Sequence, residues 1–331
     1  MKALVHYGKT GLEGLRLKEI QSVLLKDNEV RIKVKVAGLN HRDLFTLQQH
    51  DPNGEPLIIG SDAAGVITEV GSKVTKFKVN DEVMIYPAVG WDRKSDAPDD
   101  DFKILGNPIN GTFAEEVIAA ETHIALKPKS YSWEEAGVLS LAALTAYRAL
   151  FSRGEVKKGD KVLIPGIGGG AASFLLQFAK AAGAHVTVTS RSKEKLAAAL
   201  ELGADQGLVT DEDWSTALNG DKFDIVIESV GAATFQKSLD SLRKGGTMVM
   251  FGSSTGDVVD FNLRGFFYGQ FNLKGTTMGS FEEYQEMLQF VEAHQIHPIV
   301  DKVFDVEGFE EAFRYLENAK QQGKIGIRFA D

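Results

Sequence analysis

The chain has 331 residues, enough for two domains with separate cores, and its 43% hydrophobic and 25% charged content is that of a soluble globular protein. A formal net charge of −9 argues against nucleic acid or an anionic membrane as the main partner, and the absence of cysteine excludes disulfides, thiolate metal sites and cysteine nucleophiles. The N-terminus, MKALVHYGKTG, lacks the layout of a secretory signal, and the longest apolar stretch, Gly137 to Leu150, is too short to span a bilayer, so a cytoplasmic protein is expected.

Residues 1–125 read mostly as strands. ALVHY, LRLKEI, EVRIKVKV, GVITEV, DEVMIYP and FAEEVIAA alternate or cluster apolar residues, and Gly38, Gly60, Gly65, Gly71 and Gly111 punctuate the turns. No long amphipathic helix is expected among them. The polar segment WDRKSDAPDDDF (91–102) reads as a charged surface loop, because Asp99, Asp100 and Asp101 lack the glycine and glutamate spacing of a calcium loop.

From about residue 132 the texture changes. WEEAGVLSLAALTAYRALF has helical spacing, with Ser132 as the N-cap ahead of Glu134 and Glu135. KVLIP, HVTVTS, FDIVIES, GTMVMFG and NLKGTT then alternate with helical stretches, including one over 193–202 that starts after Ser192 and stops at Gly203. Nearly continuous apolar strands between helices predict an α/β fold with a parallel sheet covered on both faces. The tail carries two helical patterns, FEEYQEMLQFVEAH and GFEEAFRYLENAKQQ, and ends in an apolar run, KIGIRF, expected to rejoin the first domain's sheet. The expected division is 1–125, 126–280 and a returning segment, 281–331.

The run Lys161 to Ala171 carries the clearest chemistry. An apolar strand leads into Gly166-Ile167-Gly168-Gly169-Gly170-Ala171, the form G-x-G-x-x-A, and a helix follows. Backbone N–H groups of such a turn and the helix N-terminus together cradle a phosphate. The next strand ends at Ser190-Arg191-Ser192, near the place where an acid would hold the ribose hydroxyls of NAD. No acid stands there. A small hydroxyl, a guanidinium, Lys193 and Lys195 suit a ribose 2′-phosphate instead, so NADPH is expected as the cofactor. Val230 and Gly231, after the fourth strand, and Gly252 and Ser253, after the fifth, are candidates for lining the nicotinamide, although each glycine also reads as a plain turn residue.

Taken together, VAGLNHRD (36–43), PLIIGSDAAGVITEVGSKV (56–74), NDEVMIYP (80–87), GTFAEEV (111–117), the glycine turn, SRSKEKL (190–196) and ELGAD (201–205) resemble the medium-chain dehydrogenase/reductase superfamily over nearly the whole chain. The resemblance implies a GroES-like β domain joined to a Rossmann doubly wound domain, an active site in the cleft between them, and assembly as a dimer or tetramer. Zinc alcohol dehydrogenases of that superfamily hold a catalytic zinc with cysteine, histidine or glutamate. At the matching positions this chain has Asn40, Ser61 with Asp62, and Leu141, and the excursion at 88–105 lacks the four cysteines of their structural zinc. Asparagine and serine are poor zinc ligands, so neither zinc is expected.

The chain is then similar to the zinc-independent branch, the quinone oxidoreductases and enone or acryloyl-type reductases. A conjugated carbonyl accepts charge by itself when hydride reaches its β-carbon, and the protein need only position it and donate to the enolate oxygen. Asn40 is the candidate donor, or else a turn cap. Asp43 matches a recurrent family aspartate that orients neighbours. Tyr86 is a candidate pocket residue and proton donor, with solvent as the alternative. Trp91 either closes the pocket or anchors the excursion, and His294 and His297 read as surface residues. His41, where the family often places a basic residue toward the pyrophosphate, and Thr145 join Gly166, Gly168, Gly169, Gly170, Ala171, Ser190, Arg191, Lys195, Val230, Gly231, Gly252 and Ser253 in the expected cofactor set. Two alternatives remain beside the reductase: alcohol or aldehyde oxidoreduction with a zinc site rebuilt from Asp62 and distant histidines, and a nucleotide-binding regulator without turnover.

Overall fold

In the computed structural model, which describes residues 1–329, contacts divide the chain into two units. One is Met1–Ala142 together with the chain from Ser280 onward; the other is Ala143–Gly279. The last two positions of the expected C-terminal segment lie outside the described residues.

The first unit opens with β1 (Lys2–His6) and β2 (Leu15–Glu19), followed by β3 (Glu29–Leu39), α1 (His41–Gln49), β4 (Leu57–Ile58), β5 (Asp62–Val70) and β6 (Glu82–Ile85). Short strands β7 (Ala88–Val89), β8 (Lys103–Leu105) and β9 (Pro108–Ile109) form a small sheet around the excursion, and β10 (Glu116–Ala120), β11 (Ile124–Leu126), α2 (Trp133–Gly137) and α3 (Ser140–Tyr147) follow. β3 shows why the pattern folds this way: Val30, Ile32, Val34 and Val36 are buried, while Arg31, Lys33 and Lys35 between them point outward. One helix does interrupt the strands. The nine residues of α1 bury Asp43, Thr46 and Leu47 on one stripe, a pattern that the polar composition of HRDLFTLQQ obscures.

Ser132 caps α2 as expected, its hydroxyl accepting from the Glu135 N–H. α2 nonetheless belongs with the β unit, so the first boundary falls at Ala142/Ala143 and not at 125/126. Two glycines explain this. A Cβ on Gly38 would lie 2.8 Å from the Gly137 carbonyl, and one on Gly137 would lie 2.5 Å from the Val36 carbonyl, so β3 and α2 touch through bare backbone.

The second unit holds β12 (Lys161–Ile164), α4 (Gly170–Ala181), β13 (His185–Ser190), α5 (Lys193–Glu201), β14 (Gln206–Val209), α6 (Trp214–Ala217), β15 (Phe223–Glu228), α7 (Phe235–Ser241), β16 (Leu242–Met250), α8 (Leu263–Gly269) and β17 (Asn272–Gly275). Its strands are all parallel in the order β14-β13-β12-β15-β16-β17. This is a doubly wound sheet whose order reverses between β12 and β15, where ligands of such sheets bind beyond the strand ends.

The chain then returns to the first unit with α9 (Phe281–Ala293), β18 (Val300–Asp305), α10 (Phe309–Glu317) and β19 (Lys324–Arg328). β19 pairs antiparallel with the end of β3, as the final apolar run predicts, and β3 pairs on its other side with β5. Three strand ends therefore meet at one edge: Gly38 lies opposite Asp62, and Leu39 opposite Ile325. Among the described residues no helix is long and apolar enough to cross a membrane.

Candidate active site

The glycine turn of the second unit is built for a ligand's backbone approach. Gly166 and Gly168 have φ of 76° and 125°, which favours glycine at both positions, and Gly169 precedes the first turn of α4. The Ile167 N–H donates to the Thr189 carbonyl (2.7 Å) and the Gly166 N–H to the Thr189 hydroxyl (3.3 Å), which ties the turn to β13. A Cβ on Gly166 would lie 2.6 Å from Val230 Cγ2, and one on Gly168 3.2 Å from Lys195 Nζ. The bare turn thus lets two neighbouring segments lie against it. Among the described residues no side chain caps α4, and its first turn has no acid, so its N-terminal N–H groups suit an anion.

At the end of β13, Ser190 is buried and its Oγ accepts from the Ser192 N–H (3.1 Å). Arg191 is exposed, and Ser192 caps α5 by accepting from the Lys195 N–H (3.3 Å). The expected start and stop of that helix are observed, with Gly203 at φ 105°.

The loop after β15 is held by a residue that the sequence reading missed. Glu228 is fully buried, and its Oε1 accepts the N–H groups of Val230 (2.7 Å) and Gly231 (3.2 Å). The hydroxyls of Thr234 (2.9 Å) and Ser238 (2.6 Å) donate to Oε2. No cation is needed to satisfy this carboxylate. Its only sequence signal is an acid closing the largely apolar strand FDIVIE. Gly231, at φ 94°, lets the loop meet the next one: a Cβ there would lie 2.7 Å from Ser253 Cα, and one on Gly252 would lie 2.7 Å from the Ser229 carbonyl. The Ser253 hydroxyl donates to Asp257, and Thr145 is buried on α3. Val230, Gly231, Gly252 and Ser253 are therefore gathered in one place, as are Gly166, Gly168 and Lys195.

In the first unit, Asn40 stands between β3 and α1, where its N–H donates to Asp43 Oδ2 (2.8 Å). Its Nδ2 donates to Asp62 Oδ2 (2.9 Å) and to the Gly38 carbonyl (3.3 Å). The Lys324 ammonium donates to Asn40 Oδ1 (2.5 Å), the Leu39 carbonyl (3.1 Å) and Asp62 Oδ2 (3.3 Å). The Leu141 N–H completes the knot by donating to Asp62 Oδ1 (2.6 Å). All of this is out of water: Asp62 is 0%, Lys324 4% and Asn40 7% exposed. Lys324 was not legible as a site residue; its signal was a lysine opening the apolar run KIGIRF.

Beside the knot, the Ser61 hydroxyl accepts from Arg42 (2.6 Å) and donates to the Leu105 carbonyl (2.7 Å). Asp43 is fully buried, and its Oδ1 has no partner among the described residues. Burial lifts its carboxyl to about 6, against the opposing pull of Arg42, the Asn40 N–H and Lys324.

The remaining candidates differ in exposure. Tyr86 is wholly buried, its hydroxyl donating to the Trp91 carbonyl (3.3 Å) and its ring stacked on His123 and edge-on to Phe281. Trp91 anchors the excursion: it is buried, its indole N–H donates to Ser95 (2.9 Å), and its carbonyl accepts the Phe281 N–H (2.8 Å). Asp99, Asp100 and Asp101 are exposed, as is His41 at the start of α1. His294 and His297 are exposed too, the latter bonded to Glu135 (2.7 Å).

A GroES-like β unit and a doubly wound sheet with a glycine turn at its switch point are the two parts of a dehydrogenase-like fold. Comparison with known proteins agrees: residues 26–129 match the alcohol dehydrogenase GroES-like domain and residues 170–293 the zinc-binding dehydrogenase family. A zinc-type alcohol dehydrogenase-like protein of Schizosaccharomyces pombe is 35% identical, covering 99% of each chain. A crystal structure of an NAD-dependent alcohol dehydrogenase superposes with a TM-score of 0.94 at 32% identity, over 100% of both chains. The structure of a 2-octenoyl-CoA carboxylase reductase in complex with NADP and 2-octenoyl-CoA gives 0.89 at 26% identity, over 99% of this chain and 87% of that one. This chain belongs to the medium-chain dehydrogenase/reductase superfamily, and it is an oxidoreductase.

The superfamily implies two bound groups, and the chain fits only one. The bare glycine turn and uncapped α4 suit a dinucleotide pyrophosphate. The positions matching zinc ligands offer neither sulfur nor imidazole, and both Asp62 oxygens are already engaged. Among the described residues, no group of three or more His, Cys, Asp or Glu could hold a metal.

Proposed function

We propose that this protein is an NADPH-dependent reductase that delivers hydride to a quinone or an α,β-unsaturated carbonyl without zinc. The observation that carries this reading is the knot at the end of β3, where Asn40, Asp62 and Leu141 are bonded to one another and to Lys324. Without a Lewis acid, a simple alcohol has nothing to lower its pKa, whereas a quinone or enone disperses the incoming charge itself. When bound, NADPH supplies the hydride.

The chain's part is to hold and to orient. The glycine turn, Gly166 to Ala171, would take the pyrophosphate on the N–H groups that follow Ile167, and Ser190, Arg191 and Lys195 would receive the 2′-phosphate. Val230, Gly231, Gly252 and Ser253 line the nicotinamide, with His41 and Thr145 completing the set. Asn40 donates to the developing enolate oxygen through its second Nδ2 hydrogen, whose contact with the Gly38 carbonyl is long at 3.3 Å. Asp43 holds the Asn40 backbone. Tyr86, sealed in the core, takes no part in proton delivery, and solvent protonates the α-carbon.

Among the relatives above, the NADP-bound octenoyl-CoA reductase supports this reading, and the NAD-dependent alcohol dehydrogenase is the case against it. The test is NADPH and NADH oxidation with 2-cyclohexenone, menadione, aldehydes and, in reverse, alcohols, each with and without EDTA. Enone or quinone turnover with NADPH, indifferent to EDTA, is expected. Alcohol turnover abolished by EDTA and restored by zinc overturns the proposal, and tight NADPH binding with no turnover indicates a binding protein. A cytoplasmic homodimer or homotetramer is the accompanying expectation, checked by light scattering on the native protein.

A further inference from the structure

The knot at the end of β3 holds more than a failed metal site. It contains a buried cation, and that cation comes from β19, 262 residues further along the chain than its carboxylate partner Asp62. We infer that Lys324 is the positioning residue of the Asn40 amide, its ammonium fixing which way the amide faces. The inference rests on the reductase reading for the use of Asn40, but the arrangement itself is read from the contacts.

An amide side chain has two orientations related by a half-turn, and its surroundings decide between them. Lys324 can only donate, so the Asn40 atom 2.5 Å from it is the oxygen. Asp62 Oδ2 accepts from two sides, from the ammonium and from Nδ2 at 2.9 Å, so the nitrogen faces the carboxylate. A half-turn would set the amide oxygen against a carboxylate and the NH2 against an ammonium, unfavourable at both ends. One amide hydrogen is thereby spent on Asp62, and the other is left with a 3.3 Å contact to Gly38 O. This second contact is the longer of the two, and a substrate oxygen would have to displace Gly38 O to take that hydrogen. For packing alone the ion pair has no advantage, since apolar residues of the same volume generally serve a buried position as well. What the pair supplies is direction.

The same contacts close the site to zinc. Asp62 Oδ1 is taken by the Leu141 N–H and Oδ2 by Lys324 and Asn40. A metal would have to displace an ammonium already at the carboxylate, with no cysteine or histidine at the matching positions to compensate.

The experiment uses four full-length proteins: wild type, Lys324→Met, Lys324→Arg and the double variant Asp62→Asn/Lys324→Met. Each is assayed with NADPH and 2-cyclohexenone, and NADPH affinity is measured separately by fluorescence. Lys324→Met is expected to lose at least tenfold in kcat with NADPH affinity within twofold, while Lys324→Arg, still a donor-only cation, retains more of it. If Lys324→Met does not fold, the double variant decides, because it removes both charges together. It is expected to match the wild-type melting temperature while kcat stays low. Full recovery of kcat in the double variant would reduce Lys324 to charge balance and overturn the inference.

Two readouts need no substrate. The side-chain 15N–1H pair of Asn40, assigned by its loss in Asn40→Asp, should be a sharp, slowly exchanging pair in wild type and broadened in the double variant; unchanged signals overturn the orienting role. Cobalt(II) titration of EDTA-treated wild type should show no tight site, and a stoichiometric site abolished by Asp62→Asn overturns the claim that these contacts close Asp62 to a metal. If wild type reduces no enone or quinone, the proposed function fails while these two measurements still decide the role of Lys324.

Discussion

Asp62 in the first unit and Glu228 in the second are both fully buried, and the two carboxylates are satisfied by opposite means. Asp62 faces an ammonium, an amide and one backbone N–H. Glu228 faces two backbone N–H groups and two hydroxyls, with no cation. A hydroxyl can turn its hydrogen away and become an acceptor, but an ammonium cannot. The surroundings of Asp62 are therefore specific for a negative charge, whereas those of Glu228 are specific for oxygen atoms in given places. The first arrangement fixes polarity and the second fixes a loop.

The sharpest way to break this contrast is to remove one charge from the first pair. Lys324→Met leaves Asp62 buried without its cation, and a loss of about 3–5 kcal/mol is expected in urea unfolding. Asp62→Asn should cost a similar amount from the other side. Glu228 predicts a different series. Glu228→Ala strands two backbone N–H groups and should cost about 2–4 kcal/mol, together with weaker NADPH binding as the Val230–Gly231 loop loosens. Glu228→Gln keeps an oxygen for the N–H groups and lets the Thr234 and Ser238 hydroxyls accept from the new amide, so about 1 kcal/mol is expected. If Gln proves as damaging as Ala, Glu228 is held by its charge and the contrast is wrong.

That contrast also marks how far the sequence could be read. The glycine turn, the missing acid after β13 and the missing zinc ligands are local patterns, and local patterns survive in one dimension. The capping box of Ser132 and the bounds of α5 were legible for the same reason. Lys324 was not, because its contact with Asp62 depends on the register of β19 and β5 on either side of β3. Glu228 looked like an ordinary last residue of a strand; its role appears only when the chain turns back to place Thr234 and Ser238 over it. The boundary at Ala142/Ala143 was hidden in two glycines a hundred residues apart in effect and adjacent in space, Gly38 and Gly137. α1 was obscured because the residues it buries include an aspartate and a threonine.

Asp43 is another buried carboxylate, only half satisfied, and places the comparison on a pH scale. Its carboxyl titrates near 3.8 when unperturbed and is pushed by burial to about 6 in the fold. A raised pKa means that the protonated form is favoured by folding. The contribution is fully present below pH 3.8 and is lost as pH rises through 6. Integrated over that window it is about 3 kcal/mol, of which about 2 kcal/mol falls between pH 4.5 and 7.5. Asp43→Asn cannot titrate, so the stability of wild type minus that of the variant should shrink by that amount as pH is raised over this interval. Buried His6, whose pKa is lowered chiefly by desolvation, destabilises the fold as pH falls, but it is common to both proteins and cancels in the difference. A pH-independent difference would show that Asp43 stays ionised, its charge carried by Arg42 and Lys324.

The smallest expected effect concerns the cation that is not buried. Lys324 is sealed against a carboxylate of its own chain, whereas Arg191 stands exposed at the end of β13 with no acid beside it at the strand end. A cation held in water gains little from a surface partner, so its removal should leave stability nearly unchanged. If the 2′-phosphate of NADPH is the partner it awaits, Arg191→Ala weakens NADPH by about 1–3 kcal/mol and leaves NADH unaffected, the difference being one charge-assisted hydrogen bond. Titration of both cofactors into both proteins reads this directly. Equal weakening of the two would assign Arg191 to a shared part of the dinucleotide, and tighter NADH binding by wild type would remove the 2′-phosphate from the argument. In either case the asymmetry with Lys324 would still stand: one cation is buried against a carboxylate of its own fold, and the other is exposed.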